Sequence, residues 1–135
     1  MSKLLEERDY YKPFDYPWAF EFYKKQQQMH WLPDEVPLQD DIKDYNQKLS
    51  DGERILIDNI FKFFTQADVD VCCGYAKHYL PTFKQPEIRM MLVSYAAMEA
   101  VHQEAYSLLL ETLGKSEDEY KAFTEIQAMA EKHEY

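Results

Sequence analysis

Residues 98–106 read Met98-Glu99-Ala100-Val101-His102-Gln103-Glu104-Ala105-Tyr106, which sets a carboxylate, an imidazole and a phenol at spacings of three and four inside an apolar run. That spacing is the helical repeat, so Glu99, His102 and Tyr106 share one face of a helix. Working outward, Pro86 suits a first helical turn and Gly114 suits the left-handed residue after a helix end, which predicts a helix from Pro86 to Leu113. Upstream, Ser50-Asp51-Gly52-Glu53 is a capping-box pattern ahead of an apolar-periodic stretch that runs to about Tyr79, with Pro81 ending it. These two segments, each about 25 residues or more, are long enough for a bundle, and there is no hairpin signal or repeat. The expected fold is all-α.

The flanking sequence fits the same reading. Residues 1–16 are polar and aromatic with Pro13, and are expected to form an arm lying on a surface, with residues 17–135 as the domain. A helix is predicted from Pro17 to about Trp31, a break at "LPDEVPLQDD", and a short helix over about 39–47. Ser116-x-x-Glu119 is a second capping box, predicted to open a helix that continues to the end of the sequence.

Composition narrows the function. The 135 residues are 46% hydrophobic, enough to bury a core, and 15 Lys and Arg against 25 Asp and Glu give a formal charge of -10. Such a surface repels phosphate backbones, so nucleic acid is not the expected partner. No apolar run of about 18 residues offers a membrane span. The adjacent Cys72 and Cys73 point in different directions on a helix and suit reduced thiols, so a soluble cytoplasmic protein is expected.

Both long helices carry acids where they should pack. Along the second, the stripe is Ile88, Leu92, Tyr95, Glu99, His102, Tyr106, Leu109 and Leu113; along the first it is Ile57, Phe61, Phe64, Asp68, Val71 and Tyr75. An isolated buried carboxylate costs several kcal/mol. Neither stripe contains Lys or Arg, and one neutral imidazole cannot balance Asp68 and Glu99. A bound cation can, and Glu-x-x-His facing a carboxylate from a neighbouring helix is the ligand pattern of di-iron and di-manganese bundles. The plainer alternative is a metal-free structural module in which Glu99 and His102 bond to each other and to buried water.

With those residues in view, the sequence resembles the small subunit of class I ribonucleotide reductase over about Trp18 to Tyr120. "FFTQADVDV" is similar to the segment carrying that family's first aspartate ligand, which would make Asp68 a ligand. "MEAVHQEAY" is similar to the segment holding a bridging glutamate, a histidine and the radical-bearing tyrosine, which would assign Glu99 and His102 to the metal and Tyr106 to the radical. "MHWLPDEV" resembles the segment whose tryptophan lies on the radical-transfer route, which would be Trp31. The resemblance implies a ferritin-like bundle and a dinuclear iron, manganese or mixed manganese-iron centre that activates dioxygen. It also implies a large-subunit partner for ribonucleotide reduction; a homodimer is expected on separate grounds, given below. Leu109, Leu110 and Phe64 are candidate walls around the radical.

The sequence also departs from that pattern. The family's second ligand half includes another Glu-x-x-His, whereas here "AEKHEY" puts Glu131 two residues from His133. The expectation is therefore a domain incomplete at its C-terminal side, in which two copies could face each other to pool their ligands. A different di-metal oxidase on the same bundle is the other reading, against which Tyr106 speaks.

Overall fold

The computed structural model describes residues 3–133. It contains seven α-helices among those residues and no strand: α1 (Pro17–Gln28), α2 (Gln39–Gln47), α3 (Asp51–Gly74), α4 (Leu80–Thr82), α5 (Pro86–Thr112), α6 (Ala122–Glu125) and α7 (Gln127–His133). The chain divides into two compact units, residues 1–31 with 71–100 and residues 32–70 with 101–135, and both α3 and α5 run continuously from one to the other.

In the first unit a small core of Ala19, Ile88 and Leu92 is lined by Tyr16, Tyr75, Leu80 and Phe83. The N-terminal segment is held beside it by polar contacts. Arg8 is buried, pairs with the fully buried Glu87, and donates to the carbonyls of Tyr10 (3.0 Å), Tyr11 (3.2 Å) and Pro13 (2.7 Å). Glu87 also accepts from the Tyr16 backbone N–H at 3.0 Å, and Gln85 donates to the carbonyls of Lys3 and Glu6. A charge this deep is tolerable only when it is paired and hydrogen-bonded, and this network pairs Arg8 with Glu87 and gives the guanidinium three carbonyl acceptors.

In the second unit α3 begins with a closed capping box: the Ser50 N–H and Oγ–H both donate to Glu53, at 2.8 and 2.7 Å, and the Glu53 N–H points back to Ser50 Oγ at 3.4 Å. At the far end of α5, Gly114 adopts φ +74°, with Lys115 N–H bonding to the Leu110 carbonyl and Gly114 N–H to that of Glu111. This left-handed termination delivers Lys115 to Asp58, which also accepts from the Tyr45 hydroxyl at 2.8 Å.

Four expectations change. The first helix stops at Gln28 rather than Trp31, because Leu32 is held extended (φ -118°, ψ 145°) by the proline that follows it. Pro81 does not end the long helix. A π-turn over Tyr75–Tyr79, closed by the Leu80 N–H on the Tyr75 carbonyl, opens the spiral just ahead of the proline ring, and helical structure persists to Thr82. The Ser116 box does not form. Glu119 is engaged by Lys62, so residues 117–121 wind as a 3-10 turn, and α6 and α7 replace the single helix expected. Finally, the stripes are not dry throughout: Phe64 is 41% and Val71 45% exposed on the first, and on the second Ile88 and Leu92 are buried while Tyr95, Glu99, His102 and Tyr106 are half-buried. A stripe is buried on both flanks only where helices lie on both sides of it.

Candidate metal centre

Asp68 lies in the fifth turn of α3, and Glu99 and His102 lie one turn apart on α5, whose unbroken run fixes their relation. The structure brings one ligand atom from each of Asp68, Glu99 and His102 within 4.8 Å of the others, and all three residues are half-buried. His102 Nδ1 stands 3.9 Å from Asp68 Oδ2, too far for a direct hydrogen bond. Gln103 donates to the Asp68 backbone carbonyl at 3.1 Å, and one turn away Cys72 Sγ approaches the Ala96 carbonyl at 3.6 Å. Such contacts hold α3 and α5 in register beside the cluster.

The aromatic surroundings are ordered too. Tyr106, one turn beyond His102, stacks on Phe64 (centroids 5.6 Å, 18°) and on Phe61 (6.2 Å, 27°). Since Phe61 and Phe64 are themselves i and i+3 on α3, one helix turn supplies both rings. Toward the other end, Tyr75 has its phenol pushed above the usual value, first by burial and then by the negative charge of Glu99. Trp31 is half-buried on the segment between α1 and the 3-10 turn Pro33–Glu35, and it is not a member of the cluster. Leu110 is core, at 1% exposure, whereas Phe64 is a ring wall for Tyr106 and Leu109 lines a separate cavity. His30 and His78 are exposed, and the side chain of His133 lies outside the described residues.

The donor set suits a hard or borderline cation. Two donors bound to one ion at about 2.1 Å lie at most about 4.2 Å apart, so small side-chain rotations bring these three onto one ion or a close pair. Two carboxylates and an imidazole give a formally doubly negative set that a divalent ion neutralises. Sequence reasoning missed three polar partnerships: Lys115 with Asp58, Arg8 with Glu87, and Lys62 with Glu119. Each joins residues far apart in the sequence, so no local spacing announces it.

An all-α chain with this carboxylate and imidazole grouping on its two longest helices is a protein of the ferritin-like helical class. Comparison with known proteins carries that further: residues 8–135 match the family model for the ribonucleotide reductase small chain. The protein belongs to the ribonucleotide reductase small-chain family. It is 49% identical over 132 residues to a probable ribonucleoside-diphosphate reductase small subunit of Invertebrate iridescent virus 6, covering 98% of this protein and 37% of that one. It is 33% identical over 127 residues to a ribonucleoside-diphosphate reductase small chain of Arabidopsis thaliana, covering 91% and 38%. Its fold matches the ribonucleotide reductase R2 subunit from Clostridium botulinum with a TM-score of 0.78 at 26% identity, over 88% of this protein and 38% of that one. The 135 residues thus span little more than a third of the length of these relatives.

Proposed function

We propose that the protein is the part of a ribonucleotide reductase small subunit that bears one side of a dinuclear metal centre and the oxidisable tyrosine. Asp68, Glu99 and His102 would hold iron, manganese or one of each, and Tyr106 is the phenol that becomes oxidised. When bound, the metal pair supplies the activation of dioxygen. Everything else falls to the protein. Asp68 and Glu99 provide charge that holds the cations, and α5 fixes Tyr106 one turn from His102. Oxidising Tyr106 removes one electron and the phenolic proton, so the ring needs cover from quenching solutes, and Phe61 and Phe64 lie stacked against it. In the same reading Trp31 lies on the electron route to a large subunit, where ribonucleotides are reduced to deoxyribonucleotides for DNA replication. The small subunit works as a cytoplasmic homodimer, with residues 1–16 as an arm on a ferritin-like domain. Free Cys72 and Cys73 agree with a reducing compartment, and no helix among the described residues is long and apolar enough to cross a membrane.

The convergence of Asp68, Glu99 and His102 beside Tyr106 carries this proposal. Its test is metal content per chain and low-temperature electron paramagnetic resonance on protein from iron- and manganese-supplemented cultures. The expected result is a bound metal and a phenoxyl signal that Tyr106→Phe removes while the metal stays. Absence of metal under both supplements would sink the proposal, and a signal surviving Tyr106→Phe would move the radical elsewhere.

A further inference from the structure

His102 is carried by α5 and Asp68 by α3, so the distance between these two side chains depends on what holds one helix against the other. Apolar packing does so incompletely at this level. Phe64 and Val71, one turn to either side of Asp68, are 41% and 45% exposed. A polar contact bridges the helices there: Gln103 Nε2 donates to the Asp68 backbone carbonyl at 3.1 Å. Gln103 is half-buried and directly follows His102. One side chain therefore links the peptide next to the imidazole with the backbone that bears the carboxylate.

Backbone satisfaction does not call for this bond. Asp68 lies inside the continuous α3, where its carbonyl already receives the N–H four residues on, and a carbonyl oxygen has a second lone pair to offer. Losing Gln103 leaves no orphaned acceptor, so α3 stays helical. What is lost is a fixed point between Asp68 and α5. Only two rotatable bonds separate the Asp68 α-carbon from its carboxylate oxygens, so a shift of that carbon passes on to the oxygens. A ligand set works only when it is held to within about 0.5 Å of its productive geometry.

We infer that Gln103 is a positioning residue for the metal centre, which binds no ion itself and holds the Asp68 carboxylate at its distance from His102 by gripping the backbone behind it. This assignment rests on the proposed reading of Asp68 as a ligand. It goes further in giving one stretch of α5 two tasks: Glu99 and His102 contribute donor atoms, and Gln103, four residues after Glu99, sets the donor supplied by α3. Side chains that hold a ligand from behind are worth about ten- to a hundredfold in metal affinity, and a grip on the backbone, one step back from the carboxylate, belongs at the low end of that range.

The test titrates Mn²⁺ into the metal-free protein, with the free ion followed by electron paramagnetic resonance, and records the visible spectrum of the Co²⁺-loaded form, whose bands report ligand geometry. Gln103→Met keeps the length of the side chain and removes its donor. It should weaken Mn²⁺ binding about tenfold and shift the Co²⁺ bands, while circular dichroism shows the helices retained. Gln103→Asn keeps the amide but shortens its reach, and should do the same. Because Gln103 acts through Asp68, Gln103→Met should change the affinity by less than about twofold once Asp68→Asn is in place. Unchanged affinity and spectrum in both Gln103 variants would overturn the inference while leaving the metal reading intact, and so would a loss equally large with and without the Asp68 carboxylate. A wild-type protein that takes up neither Mn²⁺ nor Co²⁺ would instead remove the metal reading, and the inference with it.

Discussion

Asp58 and Asp68 stand ten residues apart on α3 and are buried alike, with side chains 12% and 15% exposed. Ten residues turn a helix through about 80° short of three full turns, so the two acids point to different faces and meet different company. Asp58 is met by the Lys115 ammonium and the Tyr45 hydroxyl. Asp68 is grouped with a second carboxylate, Glu99, and the His102 imidazole. Depth of burial alone does not tell Asp58 from the acid proposed as a metal ligand; their neighbours differ. At Asp58 the fold supplies its own cation, whereas in the proposed function Asp68 shares an ion with Glu99 and His102.

The sharpest way to break this comparison is to remove each charge in turn and measure bound metal. Asp68→Asn should lower iron or manganese per chain at least about tenfold, while Asp58→Asn leaves the stoichiometry unchanged. Equal losses would mean that metal uptake reports general folding and that the two acids do not differ in kind.

Stability in a chelator should show the reverse order. Asp58→Asn strips Lys115 of its counter-charge and should cost about 2–3 kcal/mol in urea unfolding. Asp68→Asn relieves repulsion with Glu99 and should change stability by less than about 1 kcal/mol, with a gain the expected sign. If Asp68→Asn were the more damaging in metal-free protein, the cluster would be a structural network and the metal reading would lose its main support.

How much of this contrast was legible in the sequence follows from distance along it. Glu99, His102 and Tyr106 lie close together, and the helical repeat alone places them on one face. Asp68 could be added because a second stripe showed the same anomaly. Gly114 was legible as a helix end because only its left-handed backbone lets the polypeptide turn there. What that turn delivers was not: Lys115 meets Asp58 across 57 positions, and Tyr45 reaches it across 13. Arg8 and Glu87 likewise form a deeply buried pair across 79 positions. The π-turn was hidden because Pro81 reads as a stop unless the preceding turn widens to receive it.

Alkaline titration separates the two acids more gently. Burial draws the Lys115 ammonium downward, but its hydrogen bonds to Asp58 and Tyr45 outweigh that and raise it above the ordinary value near 10.5. A group whose folded value is raised contributes stability that is complete below its unfolded value and is lost as pH rises through the folded one. Wild-type stability should therefore fall above about pH 10.5 by more than that of Lys115→Met, measured as urea midpoints across the range. Parallel curves would show that the ammonium does not hold Asp58.

The smallest effect comes from two copies of one motif with different fates. Ser50 and Glu53 close a capping box, and hydrogen bonds from the Ser50 hydroxyl and then its backbone N–H lower the Glu53 carboxyl against a slight opposing effect of burial. Ser116 and Glu119 have the same spacing, yet Glu119 is committed to Lys62 and the box stays open. A depressed carboxyl contributes above its unfolded value, near 4.5, and the contribution is lost as pH falls through the lower folded value. Ser50→Ala should lower the melting temperature by about 3 °C at neutral pH and by less in acid, once the pH has fallen below the lowered folded value of Glu53. Ser116→Ala should shift it by less than about 1 °C at either pH, because no side-chain cap is there to lose. Equal shifts in the two variants would mean that the spacing alone, and not the availability of the glutamate, decides whether this box forms.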